Sequence, residues 1–589
     1  MEARSSLPIR RELIDAKFEG YKLSLDCLPT YQCSLESVLD VTSLSEDQYS
    51  FHHAKLLGVH NHLIQDPWCN KHVYFVSSDW FIVKAMTTMS SVQIDGRVVQ
   101  IPDSAIQREV IGRHEVTMVF VSPDLAVVSD GAGKLHVYFT GDRQSSAEKW
   151  KVLFSLDPVD GKAPFSLVDS LMTSDNGTTY IDCLCAYVIE SNQDQKEKFK
   201  SNHLSVIDWV TIVSSDQKSW KQERSRQLLG RRPFDYVAMD SNQSVVIAAP
   251  SAFKFHFDSL KPVLEEEVVE SHTIESALPE YTWCQESEDI TVQFTVPAGM
   301  TKADIYLTLT SDHIDFGIKN GKALLKGHLH GPVDVEGSTW TIQEQRVELT
   351  LTKLNQEVWP VVVVGDHRGE MTLDQAQIAE IHNRLAGLTS EQLNPAPDPE
   401  VNKPYNAQEL EDCDAFPDDS SMVTRMDGNS HKVTHQTNLG SHQFLFTTRV
   451  SHDAPSVFCL RHDVDGLVWQ PAKTVKEHDS PWQHVATFNA FGYVQASKQQ
   501  RKFCACSSDF SYVAICDAVR HCYIYRQPTA VLSPVRNRKT GQQINTVAKQ
   551  QVVSLESADS AVGLHATHTK LFILTTSKLY AVLVNPETV

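Results

Sequence analysis

The sequence predicts an all-β protein: a split β-propeller of about seven blades with an antiparallel β-sandwich inserted into it, plus one helix and an acidic flexible linker. Three observations carry this expectation. Apolar and polar residues alternate through 281–359, with turn residues at every break. Paired apolar strands recur on both sides of that stretch, about four hairpins before it and about three after. The flanks of the stretch are acidic and nearly free of Lys and Arg.

In chain order, residues 1–261 form the N-terminal part of the propeller. Short extended pieces such as Tyr21-Lys-Leu-Ser-Leu25 lead into a repeated theme of strand, turn, strand. Val73–Val76 turns at Ser77-Ser-Asp79 into Trp80–Val83. Leu125–Val128 turns at the glycine-rich 129–133 into Leu135–Tyr138. Cys183–Val188 and Leu204–Ile212 make a third pair, and Val245–Ala249 precedes Phe253–Phe257. Residues 262–273 read as an acidic linker, since 262–280 hold six Glu and no Lys or Arg. Residues 274–363 form the sandwich, and 364–390 a helix. Thr372 is a plausible N-cap with Gln375 three residues on, a capping-box arrangement. Ile378, Ile381, Leu385 and Leu388 follow at helical spacing, to pack on a neighbouring domain or to fill a partner's groove. Residues 391–425 form a second linker: nine Asp or Glu against one Lys in 391–420, with five prolines, cannot build a core. The theme returns in 426–589, with Tyr512–Ile515 into Tyr523–Tyr525 and Leu571–Leu574 into Leu579–Val582. A propeller closes on itself and so needs both halves of the chain, with the sandwich inserted between two blades. Two independent β-domains flanking the sandwich are the alternative.

Within the sandwich, Ile290, Val292, Phe294 and Val296 share one strand face, and Ile305, Leu307 and Leu309 repeat the pattern. Asn320-Gly321 is the strongest hairpin signal, because both residues tolerate the positive φ of a type I′ turn. The same region carries Tyr281-x-Trp283-x-Gln285, Lys326-Gly327-x-Leu329, Ser338-x-Trp340-x-Ile342 and Leu349-x-Leu351-x-Lys353, then Trp359. In order and spacing these resemble a CS domain of the NudC family. The likeness to that family extends nearly end to end, through Phe18–Leu25, Cys459–Asp465, Thr487–Lys498 and Ala548–Gln551. The resemblance implies a co-chaperone of the ninety-kilodalton heat-shock protein. It also implies clients that contain β-propellers and a link to dynein-based transport. Many NudC-type CS domains end in two adjacent tryptophans; here Val358 stands in place of the first.

Composition narrows the function. A net charge of −21 disfavours a protein whose task is gripping phosphate backbones. The first residues show no apolar signal segment, and no apolar run reaches the ~18 residues of a membrane span. The chain is therefore expected in the cytoplasm and nucleus, with its twelve cysteines as free thiols. No phosphate loop, dinucleotide fingerprint, nucleophile elbow or H-E-x-x-H is present, so no cofactor, metal or catalytic site is predicted. Cys459 with His462 and Asp463 is the most enzyme-like cluster, and it serves equally well as a blade corner. His328 and His330 sharing a strand face would make half a metal site. Trp283 and Trp340 are read as sandwich core. Trp359, beside Pro360, is the candidate for an exposed contact, and Lys322, Lys326 and Lys353 for a cationic face toward an acidic partner. The expected function is a non-enzymatic co-chaperone or adaptor; the same features suit a scaffold subunit of a stable complex that docks through its CS domain.

Overall fold

The computed structural model describes residues 3–586 apart from 264–280, 373–384, 386–420 and short gaps at 5–6, 16–17, 89, 145–148, 160–162, 241–242, 287, 298, 320, 344, 356–358, 360, 367, 441, 473–474, 476–479, 499, 519, 537–542 and 557–558. The chain divides into two compact units, Met1–Glu265 with Leu388–Val589, and Glu266–Gly387.

Among the described residues the first unit contains seven sheets of four or five strands, each an antiparallel blade at its centre. The first blade is Ile64–Gln65, His72–Val76, Phe81–Thr87 and Val92–Gln100; the second runs from Thr117–Phe120 to Lys151–Leu156. The third runs from Ser166–Asp175 to Lys221–Gly230. The fourth joins Tyr236–Met239 and Ser244–Ala249 to Met422–Asp427 and Val433–Asn438. The fifth spans Phe444–Thr448 to Trp482–Phe488, and the sixth Arg501–Cys506 to Lys549–Ser554. The seventh is Ala561–Ala566, Lys570–Thr575 and Lys578–Leu583, completed by Thr30–Ser34 from the other end of the chain.

Apolar side chains between successive blades show that these sheets form a closed ring. Val73 and Phe75 pack with Phe572 and Leu574 of the seventh blade. Tyr74 and Ile82 pack with Phe120 and Tyr138 of the second. Val127 and Val137 meet Leu167 and Ile181; Trp209 and Leu228 meet Val245 and Ile247; Val246 and Ala248 meet Phe458 and Trp469. The fifth and sixth blades join through Phe491 and Tyr525, whose ring centroids lie 6.2 Å apart. Ile524 with Leu571 and Ile573 completes the circuit. Burial of this many aliphatic and aromatic side chains supplies most of the drive to close.

Three expectations are corrected here. The insertion does not fall between two blades. It falls inside the fourth, between Ser244–Ala249 and Met422–Asp427, which pair directly from Ser244 with Asp427 to Ala249 with Met422. The two strands are neighbours in one blade although the whole inserted unit lies between them in sequence. The strand Met422–Asp427 also begins inside the stretch assigned to the 391–425 linker. Its Met-Val-Thr-Arg-Met run is short and carries Asp at both sides, so composition masks its pairing. Finally, Val245–Ala249 and Phe253–Phe257 are not a hairpin, because Lys254–Asp258 crosses to the outer edge of the third blade, against Lys221–Gly230.

That crossing strand is locked by charge. Asp258, with a fully buried side chain, accepts from Arg224 Nε at 3.0 Å and pairs with His431 Nε2 at 2.6 Å. Burial alone would raise its carboxyl, but bonds from Arg224, the Leu260 N–H and His431 outweigh this and hold it far below the usual carboxylate range. A depressed carboxyl contributes stability that is complete above its unfolded value, about 3.9, and is lost as pH falls through the folded value. Asp258→Asn is expected to cost about 3 kcal/mol, as for breaking a buried pair. It should also flatten the acid limb of stability below about pH 4. Urea unfolding of both proteins at neutral and acid pH checks it; parallel acid limbs would refute it.

The second unit is a sandwich. One sheet orders Val333–Gln343, Arg346–Lys353, Asp289–Thr295, Tyr281–Gln285 and Gly369–Met371; the other orders Ile305–Leu309, His313–Ile318 and Ala323–His328. Inward Ile290, Val292, Phe294, Ile314, Phe316, Leu325, Leu349 and Leu351 make its core, with the alternation the sequence displays. His313–Ile318 and Ala323–His328 do pair as a hairpin, but its turn is not type I′. Gly321 is outside the left-handed region, its N–H returns to Ile318 O, and Ile318 N–H closes on Lys322 O. A bulge at Phe316/Gly317 shifts the register, so the loop is longer than two residues. The helix expected after Thr372 lies outside the described residues, Thr372 and Leu385 apart, and so do 264–273 and 391–420 of the two linkers. Among the described residues no helix is long and apolar enough to cross a membrane.

Candidate functional site

The sandwich holds the residues singled out for binding, and the structure distributes them unequally. Trp283 lies in the core at 3% exposure, on the strand face shared with Tyr281. Trp340 is half-buried and leans edge-on against Phe316 of the opposite sheet, centroids 5.9 Å apart.

Trp359 is not an exposed contact. It is fully buried, and its peptide is held from both sides by one side chain: Trp359 N–H donates to Gln285 Oε1 at 2.9 Å, and Gln285 Nε2 donates to Trp359 O at 2.8 Å. Gly331 lies flat on the indole, where a Cβ would stand 3.1 Å from the ring. The neighbouring proline misleads because the chain after the last long strand does not leave the sandwich. Val364 N–H donates to His328 O and His330 N–H to Val362 O. Gly369–Met371 then adds as a parallel edge strand on Tyr281–Trp283, and Thr372 N–H donates to Trp283 O. Residues 359–372 thus form a strap across the fold. The sequence signal for it is the glycines: a Cβ on Gly327 would strike Val363 at 2.6 Å, and one on Gly369 would strike the Tyr281 ring at 2.0 Å. Gln285 and these glycines are the residues that sequence reasoning quoted or passed over without a role.

The three lysines separate in the same way. Lys353 is buried rather than displayed: it is 7% exposed, Nζ donates to Glu286 O at 2.6 Å, and desolvation lowers its pKa. It sits at the end of a strand whose inward side continues the Val347, Leu349, Leu351 series, so its stem follows the core face. Lys326 is exposed on the three-stranded sheet, and Lys322 is exposed in the turn that leads into its Ala323–His328 strand. Lys326 pairs with Asp315 at 2.6 Å, and Tyr306 Oη donates to the same carboxylate at 2.9 Å. The hydrogen bond from Lys326, then that from Tyr306, lowers the Asp315 pKa. His328 stands opposite His313 across the ladder, rings 5.0 Å apart, and His330, on the far side of the buried Leu329, has its ring 5.9 Å from that of Trp359. Among the described residues no group of three or more His, Cys, Asp or Glu is arranged to hold a metal ion.

The enzyme-like cluster lacks a nucleophile. Cys459 is fully buried, and burial first, then the neighbouring Cys506 and Cys504, pushes its thiol well above the ordinary range, away from thiolate. His462 instead stacks on His442 at 5.1 Å, and burial lowers its pKa to about 4. Asp463, at φ 49°, turns the hairpin, and Arg461 Nε donates to its carbonyl. This is a blade corner.

Comparison with known proteins agrees with this architecture. Residues 279–353 match the CS domain family. The chain is 38% identical over 594 residues to NudC domain-containing protein 1 of Mus musculus, covering 99% of each protein. It is 37% identical to the Xenopus tropicalis protein of the same name, covering 98% of each. The nuclear movement protein nudc of Schizosaccharomyces pombe is 30% identical over 124 residues, 20% of this chain and 72% of that one. A CS domain in a chain matched from end to end at 37–38% identity settles the family: the chain belongs to the family of NudC domain-containing protein 1.

Proposed function

We propose that the chain is a non-enzymatic co-chaperone and adaptor of the cytoplasm and nucleus. It holds client proteins that contain β-propellers and cooperates with the ninety-kilodalton heat-shock chaperone, with dynein-linked transport among its pathways. The observation that carries this reading is the end-to-end match to a NudC-family protein at 38% identity. The sandwich offers a polar outer face on its three-stranded sheet, with Lys326, Asp315 and Tyr306 and, in the adjoining turn, Lys322, as the surface for chaperone or client. The propeller offers its rim loops for selection. Two modules meeting one target raise the effective concentration of each at the other's site.

The test is heat-induced light scattering by an aggregation-prone β-propeller protein. The full chain at equimolar ratio should suppress scattering by about half or more, and the chain lacking 266–387 should suppress it far less. Equal suppression by both would remove the sandwich from the role. No suppression by either would refute the co-chaperone reading.

A further inference from the structure

Among the described residues fifteen large apolar side chains are exposed, and five of them, Val38, Val41, Leu44, Ile106 and Ile111, fall in two short stretches of the propeller unit. These stretches lie side by side. Ser78 N–H donates to Val38 O, and Arg108 Nη1 donates to Ser78 O. Arg113 forks onto Asp40 at 2.8 and 3.0 Å. Thr42 N–H donates to Glu115, and Gln48 Nε2 donates to Gly112 O. The aliphatic side chains therefore stand on a surface pinned at both ends rather than on loose loops.

The charge beside them has one sign. Residues 36–48 contain no Lys or Arg, and Glu36, Glu46 and Asp47 are exposed; Glu109 is exposed on the facing stretch. The basic groups nearby are already engaged. Arg113 is held by Asp40, Arg108 by the Ser78 and Ser104 carbonyls, and Lys134 by Asp103. Asp40, with its side chain 6% exposed, is spent on Arg113, so the outward field comes from the other four carboxylates. An exposed apolar patch on a soluble protein marks an interaction site. A carboxylate rim recruits cations, and it opposes a second copy of a chain whose net charge is −21.

We propose that this surface docks a basic amphipathic segment of a partner protein. Its apolar side chains cover Val38, Val41, Leu44, Ile106 and Ile111, and its Lys or Arg side chains face Glu46, Asp47 and Glu109. The proposal rests on reading the chain as a protein-binding adaptor and gives that adaptor a recognition chemistry on its propeller.

The probe is a fluorescein-labelled Leu/Lys amphipathic peptide, titrated with the full chain and followed by anisotropy; the matching Leu/Glu peptide is the control. The native chain should bind the Leu/Lys peptide and not the Leu/Glu one, more weakly as salt rises. The triple variant Val38→Ser, Val41→Ser, Ile111→Ser should weaken binding about tenfold or more, and so should Glu46→Lys, Asp47→Lys, Glu109→Lys. Reversal of three other exposed carboxylates, Asp175 and Glu223 at the strand ends of the third blade away from His203, and Glu12 in the segment beside the fifth blade, should leave it unchanged. These positions are exposed, and an unaltered melting temperature confirms that each variant folds. If this control reversal weakens binding as much as the local one, net charge alone attracts the peptide and the proposal fails. It also fails if sedimentation shows native dimers that the serine variant abolishes, since the occupant is then a second copy. Neither outcome touches the aggregation assay, which uses no peptide.

Discussion

Trp359→Ala is expected to unfold the sandwich near physiological temperature while leaving the propeller folded. The indole is fully buried in a core made only of residues from the inserted unit. Truncating a buried Trp to Ala costs about 3–5 kcal/mol through lost transfer energy and the cavity left behind. The total stability of such a domain is about 5–15 kcal/mol, so the loss takes a large share of it. More than packing is removed, because the strap from 359 to 372 is anchored at Trp359, and Gly331 has no side chain with which to fill the space. The Gln285 clamp acts on the peptide, so it persists in Trp359→Ala as long as the strap stays seated. Trp359→Phe should cost much less, since among the described residues the indole N–H has no acceptor and a ring still fills most of the volume. Hydrogen exchange read by mass spectrometry separates the units. Peptides from 281–371 should lose protection in Trp359→Ala by two to three orders of magnitude or about 3–4 kcal/mol, and peptides from 64–249 and 433–583 should keep theirs. Unchanged protection in 281–371 would return Trp359 to the surface role that the sequence suggested.

That suggestion shows where sequence reading stops. The blades were legible because each repeats one local event, an apolar run, a turn and a second apolar run, and that event needs no knowledge of the partner strand. The sandwich core was legible for the same reason: Ile290, Val292 and Phe294 declare their common face by spacing alone. Trp359 and Lys353 were not legible, because their burial is decided by segments distant in sequence. Gln285 lies 74 positions from the tryptophan peptide it holds. Lys353 is covered because its stem extends a core face and its ammonium finds the Glu286 carbonyl, and neither fact has a periodic signature. The site of insertion was hidden likewise. Pairing of Ser244–Ala249 with Met422–Asp427 spans about 175 residues, and only a register, not a motif, records it. Gly327, Gly331 and Gly369 carried the missing information, but a glycine announces a close approach without naming what approaches.

Residues 1–261 produced alone are expected to aggregate, and to be rescued by residues 388–589 produced in the same cell. The fragment keeps three complete blades, but it cuts the fourth through its middle: Tyr236–Met239 and Ser244–Ala249 remain, and their partner Met422–Asp427 is gone. Ser244–Ala249 is buried at every position in the whole chain, so its loss of a neighbour exposes an apolar edge with unpaired backbone groups. At the other end Thr30–Ser34 loses Lys578–Leu583, and Lys22–Leu23 loses Lys549–Ser554. The faces of the first and third blades that met the seventh and fourth lose the side chains packed on them: Val73 and Phe75 no longer meet Phe572 and Leu574, and Trp209 keeps Val245 but loses Met426. A ring cannot shed its exposed ends by adjusting locally, because every blade is covered on both sides by the next. The second fragment supplies the third and fourth strands of the fourth blade, three entire blades bar the N-terminal strands, and both missing faces. Complementation therefore restores closure without the sandwich, and its yield measures how far the ring depends on the insert. Size-exclusion chromatography of each fragment alone and of the co-expressed pair decides the matter. A soluble, cooperatively unfolding monomer of 1–261 would mean that the first three blades form a domain of their own, and closure through the fourth and seventh blades would then be an addition to the fold rather than its condition.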